Sequence, residues 1–88
     1  MKAIKKPIAV DVWEINPLPP HLDYPSWVVN AFISDHLLDW SVDNTLVVRT
    51  LEGRVWANTG DYLLRGPEGD IWPVRKDIFE KTYDVVED

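Results

Sequence analysis

Glycine-bearing turn signals punctuate the second half of the chain at short intervals, and this spacing limits the possible folds more than any other feature. Glu52-Gly53, Asn58-Thr59-Gly60-Asp61 and Gly66-Pro67-Glu68-Gly69 each separate short runs rich in β-branched, aromatic or aliphatic residues. Runs of this length, bounded by such turns, read as antiparallel strands joined by hairpins. The expected strands are Thr45 to Leu51, Arg54 to Ala57, Tyr62 to Arg65 and Asp70 to Arg75. Lys76-Asp77-Ile78-Phe79 reads as one helical turn. Glu80 to Val86 reads as a closing strand, with Phe79, Lys81, Tyr83 and Val85 on one side.

The first half supplies the remaining elements. Ile4 to Ile15 reads as a strand in which Ile8, Val10 and Val12 alternate with Ala9, Asp11, Trp13 and Ile15. Pro7 removes a ladder donor near its start. Asn16-Pro17-Leu18-Pro19-Pro20 is a stiff connector. A helix is expected from about Pro25 to Leu38, with Ser26 as N-cap or Pro25 in the first turn. Trp27, Val28, Ala31 and Phe32 mark its buried face. These elements predict an α+β fold in a single domain over residues 1–88. The expected architecture is a curled antiparallel sheet or small open barrel of about six short strands, with one helix packed against it. The first strand is expected to pair with the last, Glu80 to Val86.

Composition bounds the function. The 88-residue chain has ten aromatic side chains, five of them Trp, which supply much of its available burial. It has no Cys, so disulfides and thiolate metal sites are excluded. Its N-terminal segment lacks the apolar core of a signal peptide, and no apolar run approaches the roughly 20 residues that span a bilayer. A cytoplasmic location is the expectation. The net charge is −6, and its distribution is uneven. No Lys or Arg lies between Lys6 and Arg49, an interval that holds six acids: Asp11, Glu14, Asp23, Asp35, Asp39 and Asp43. The rest of the chain is balanced. Such a block argues against direct nucleic-acid binding and suits pairing with a basic protein face.

Two regions resemble a group of small proteins encoded by bacteriophages and prophages. One is Lys5-Lys6-Pro7-Ile8-Ala9-Val10-Asp11-Val12-Trp13. The other runs from Gly60 to Tyr83, above all Gly60-Asp61-Tyr62, Arg65-Gly66 and Asp77-Ile78-Phe79-Glu80-Lys81-Thr82-Tyr83. Members of that group carry an apolar–Cys pair near the Trp72-Pro73-Val74 position and a Pro before Asp77, where this chain has Val74 and Lys76. The resemblance covers somewhat under half of the chain and leaves out Asn16 to Val42. It implies a phage or prophage origin and action inside a bacterial host cell, with a defence protein as the expected kind of target. It implies no catalytic residues.

Chemistry-bearing patterns are sparse. Ser34-Asp35-His36 are sequence neighbours, and neighbours on one element point in different directions, so they form no triad. His36 and Asp39, with Asp35 or His21, make too small a set for zinc. Gly66-Pro67-Glu68-Gly69 lacks the Lys-Ser/Thr of a phosphate loop. No cofactor, catalytic or metal site is therefore expected, and the chain reads as a non-enzyme. Two binding constellations stand out. Arg54 and Trp56 share a strand face, and Trp72, Arg65 and Arg75 lie on nearby strands. Arginine over a Trp ring could hold a nucleotide base and its phosphate, although Trp packing a small core with Arg covering its edge is the favoured reading. The second constellation joins Val29 and Ile33, on the side of the helix away from the sheet, with Asp35, Asp39 and Asp43. It is expected to serve as a protein interface, for a host protein or for a homodimer. The rival expectations are thus a host-binding interaction protein, a nucleotide-binding or sequestering protein, and a minor structural or assembly component.

Overall fold

The computed structural model describes residues 1–3, 8–17 and 24–86. Lys5, Lys6, Pro7, the connector Leu18-Pro19-Pro20, His21 and Asp23 lie outside the described residues. The elements are β1 (Asp11–Glu14), α1 (Ser26–Ile33), β2 (Leu38–Trp40), β3 (Leu46–Thr50), β4 (Gly53–Ala57), β5 (Tyr62–Arg65), β6 (Ile71–Val74) and α2 (Lys76–Thr82). The fold is α+β, as expected. Its strands form two antiparallel three-stranded sheets, ordered β1-β5-β6 and β2-β3-β4, and they do not close into a barrel.

Three expectations are corrected. First, the strands divide between two sheets instead of forming one. Second, the helix stops at Ile33, and Leu38–Trp40 becomes a strand paired with Leu46–Val48. The Ser34 and Asp35 amides both donate to the Asn30 carbonyl, and His36 takes a left-handed conformation. Leu37 then donates to the Ala31 carbonyl and accepts from Arg49, turning the chain into the ladder. Cross-strand pairing outweighs the helical spacing of Leu38. At the other end Pro25 is the N-cap, and its carbonyl accepts from Val28 and Val29.

Third, the segment Glu80 to Val86 is not a strand. The helical turn at Lys76 continues to Thr82, and β1 pairs with β5. Helical geometry puts Phe79 and Tyr83 on one face. Their rings stack at 5.2 Å, and Phe79 stacks on Tyr62 of β5 at 4.1 Å. A groove of about 470 Å³ separates Ile8–Val12 from the tail Tyr83–Val86, where the sequence suggested pairing.

The sheet β1-β5-β6 is therefore covered on both faces. On one, Trp13, Ile15, Leu63 and Ile71 join Val28, Ala31, Leu38, Leu46, Val48 and Ala57 in the main core, which contains no polar side chain. On the other, Tyr62 meets Phe79 of α2, and Leu64 on the same face is fully buried. The main core carries a closed circuit of aromatic rings. Trp13 meets Tyr24 (4.8 Å) and Trp40 (6.5 Å) edge-on, while Phe32 stacks on Tyr24 (6.0 Å) and Trp40 (5.9 Å). Aromatic pairs contribute about 0.5–1.5 kcal/mol each beyond area burial.

Two substitutions test these links. Phe32→Leu breaks two ring contacts and is expected to cost about 1–3 kcal/mol in chemical denaturation. Asp61, in the β4–β5 turn, accepts the Lys76 amide at the start of α2 (3.1 Å) and the Asn58 amide (3.3 Å). Asp61→Ala is expected to cost about 1 kcal/mol, with Asp61→Asn milder, and to raise amide exchange in α2 above that of the main core.

Candidate functional site

The end of α1 and the edge strand β2 present the clearest unpartnered surface. Val28 and Ala31 of α1 are buried, whereas Ile33 is 68% exposed and Val29 half-buried. The helix has no acidic residue in its first turn and no basic residue in its last. Beyond Ile33 the chain exposes Asp35 and His36, then Asp39 from the outer side of β2, then Val42 and Asp43 in the following turn. Hydrogen bonds from Ser34, Asp35 and Leu37 back to α1 fix the turn between Ile33 and β2. Ser34, Asp35 and His36 make up the turn itself, with no convergence on a shared point.

Asp43 also has a structural task. Its carboxylate is hydrogen-bonded by the Ser41 hydroxyl and accepts from the Thr45 amide (3.2 Å). Asn44 takes a left-handed φ of 64°, closing the β2–β3 hairpin. The Ser41 hydroxyl, then the Thr45 contacts, hold the Asp43 carboxyl below its ordinary value of 3.8. These bonds favour the ionised form.

The five described early acids do not share one surface. Asp35, Asp39 and Asp43 line the α1–β2 margin. Asp11 is bound by Arg65, whose Nε lies 2.9 Å from the carboxylate. Glu14 lies on β1, on the face opposite Asp11. The negative potential of the margin comes from three carboxylates. The sequence block is longer than the patch because β1 and β2 belong to different sheets.

The five residues expected to hold a nucleotide are also dispersed. Arg65 is engaged by Asp11 and sits 5.3 Å from the centre of the Trp27 ring. Trp72 pairs with Leu64 and lies on the opposite sheet face from Arg65. Its ring packs over Gly66, where an added Cβ would meet Cζ3 at 3.2 Å. Arg75 donates two hydrogen bonds to Asp77, at 3.3 and 3.1 Å. Those bonds hold the Asp77 carboxyl below its ordinary value. Only Arg54 and Trp56 stay together, on the outer face of β4.

Comparison of the chain with known protein families, curated proteins and solved structures finds no match.

One residue of this outer face was not foreseen. Arg49 lies directly across from Arg54, and Val47 across from Trp56. The hairpin turns at Leu51-Glu52, one residue earlier than the sequence suggests, with Gly53 at φ 115° and the Thr50 hydroxyl donating to the Gly53 carbonyl. Counting outward from that turn would have paired the two arginines.

Asp43 gives a pH prediction. A carboxyl lowered in the folded state stabilises fully above its unfolded pKa, and the contribution is lost as pH falls through the folded value. Carboxyl NMR titration is expected to place the Asp43 midpoint below 3.8 and to show the Thr45 amide shift moving with it. Asp43→Asn is expected to abolish that coupled shift and leave the main core intact.

Proposed function

We propose that this chain is a non-enzymatic interaction protein of phage or prophage origin that acts inside a bacterial host cell. It binds a host protein, of the defence class, through the α1–β2 margin. The origin and the defence setting rest on the resemblance of its two terminal regions to phage proteins. The binding role rests on Ile33. A β-branched side chain 68% exposed at the end of an uncharged helix, followed along the chain by the exposed residues Asp35, Asp39 and Asp43, is suited to an apolar anchor with acidic groups in the same segment. A partner would present an apolar recess surrounded by basic side chains.

The same face would also serve a second copy of the chain. Velocity sedimentation of the wild type and of Ile33→Asp separates these uses. A dimer that dissociates in the variant assigns the face to self-association. A monomer in both leaves it to the host partner.

Affinity capture from bacterial lysate tests the principal reading. A host protein retained by the wild type is expected to bind Ile33→Asp at least about tenfold more weakly. Asp35→Lys with Asp39→Lys is expected to slow association and to remove the salt dependence of binding. Capture that ignores both variants and is indifferent to salt rules this reading out. No described helix is long and apolar enough to cross a membrane.

A further inference from the structure

The far edge of the same sheet has the opposite character. β4 is an edge strand, since β2-β3-β4 ends there. The Arg49 amide donates to Leu37, the residue just before β2, so the main-chain groups of Leu46, Val48 and Thr50 face β4. Their partners Ala57, Val55 and Gly53 face back. The N–H and C=O groups of Arg54 and Trp56 consequently point away from the sheet, and they have no hydrogen-bond partner among the described residues.

Two of the other three sheet edges are guarded. β2 is only three residues long, and β6 carries Pro73, whose missing N–H blunts its outer edge. β4 carries no such device. An unguarded edge strand is a template for an added strand.

Side chains on either side of this edge say what such a strand should carry. On the outer face Trp56 is 61% exposed. Arg49 and Arg54 stand directly opposite one another, and neither forms an ion pair among the described residues. Like charges facing across two strands destabilise a hairpin unless an anion lies between them. On the inner face Val55 borders a recess of about 410 Å³ that extends to Leu51, Ile71, Trp72 and Pro73. Glu52 and Asp70 also line that recess and would repel an acid placed there.

The geometry points to the β4 edge as a docking site for an extended peptide segment of a partner protein, acidic at alternate positions and apolar at those between. Such a segment adds as a fourth strand. Its carboxylates meet Arg49 and Arg54 beside Trp56, and its apolar side chains enter the recess at Val55. This site is separate from the α1–β2 margin and carries the opposite charge. The outer face is open and only two cations wide, and it lies on the sheet that also carries Asp39. An acidic peptide anchored by main-chain hydrogen bonds fits it better than a nucleic-acid strand anchored by phosphates alone.

The test titrates the intact protein with two synthetic peptides of equal composition, one alternating Glu with Val and one with the alternation broken. The alternating peptide is expected to bind, quench Trp56 fluorescence and slow amide exchange at Arg54 and Trp56 by about tenfold or more. Arg54→Glu and Trp56→Ala, both at exposed positions, are expected to weaken it by at least about tenfold with unchanged thermal unfolding. Equal binding of the two peptides, no binding by either, or unprotected Arg54 and Trp56 amides overturns the assignment. Displacement of the peptide by oligothymidylate at lower concentration also overturns it, and gives the face to nucleic acid.

Discussion

Two sheets that share no strand must be joined by side chains, and here four aromatic rings do much of that work. Trp13 comes from β1, Trp40 from β2, Phe32 from α1, and Tyr24 from just before the helix. Each ring touches two others, so no member can move without disturbing its neighbours. The Tyr24 hydroxyl donates to the Asn16 carbonyl at 2.8 Å. Burial raises its pKa above 10.0, opposed by a hydrogen bond from the Trp40 side chain. Around this circuit the aliphatic core is fully apolar, with Ile15, Leu46, Leu63, Val28 and Val48 completely enclosed. Position and orientation of α1 follow from it, and with them the exposure of Ile33.

The same constraint organises charge. Because the circuit takes up the inner sides of β1, α1 and β2, charged residues of those elements are left at margins. Three acids collect at β2, while Arg49 and Arg54 occupy β3 and β4 of the same sheet. Asp39, Val47 and Trp56 form a row across its outer face. The sheet is thus electrically polar from one edge to the other, although the chain as a whole carries a charge of −6. A protein whose excess charge was spread evenly would offer neither edge to a selective partner.

Much of this was legible in the sequence where local signals acted alone. Gly53, Gly60 and Gly69, all at positive φ, lie at the turns that separate β3 to β6. The buried positions Val28 and Ala31 followed from helical spacing, and Ile33 outside it from the same count. What failed depended on non-local competition. Leu38 and Trp40 fit the end of a helix or an edge strand equally well, and pairing with Val48 and Leu46 decided between them. Phe79, Lys81 and Tyr83 alternate as a strand would, but Phe79 and Tyr83 also fit a helix, and stacking on the Tyr62 ring of β5 decided that case. For the candidate sites, residue type was the weak guide. Arg65 and Arg75 looked available for a ligand, and each is engaged by a carboxylate, one of them 54 positions away in sequence. Only register shows that Arg49 faces Arg54.

The double covering of β1-β5-β6 has a mechanical consequence. Phe79 and Tyr83 make a thin second layer over the Tyr62–Leu64 face of β5, tethered to the rest through the stack on Tyr62 and through Asp61. Removing that layer would expose Leu64 and leave the aromatic circuit on the far side untouched. The domain therefore has a preferred order of disassembly: its C-terminal flap can peel back and reseat as a unit while the body of the protein stays folded.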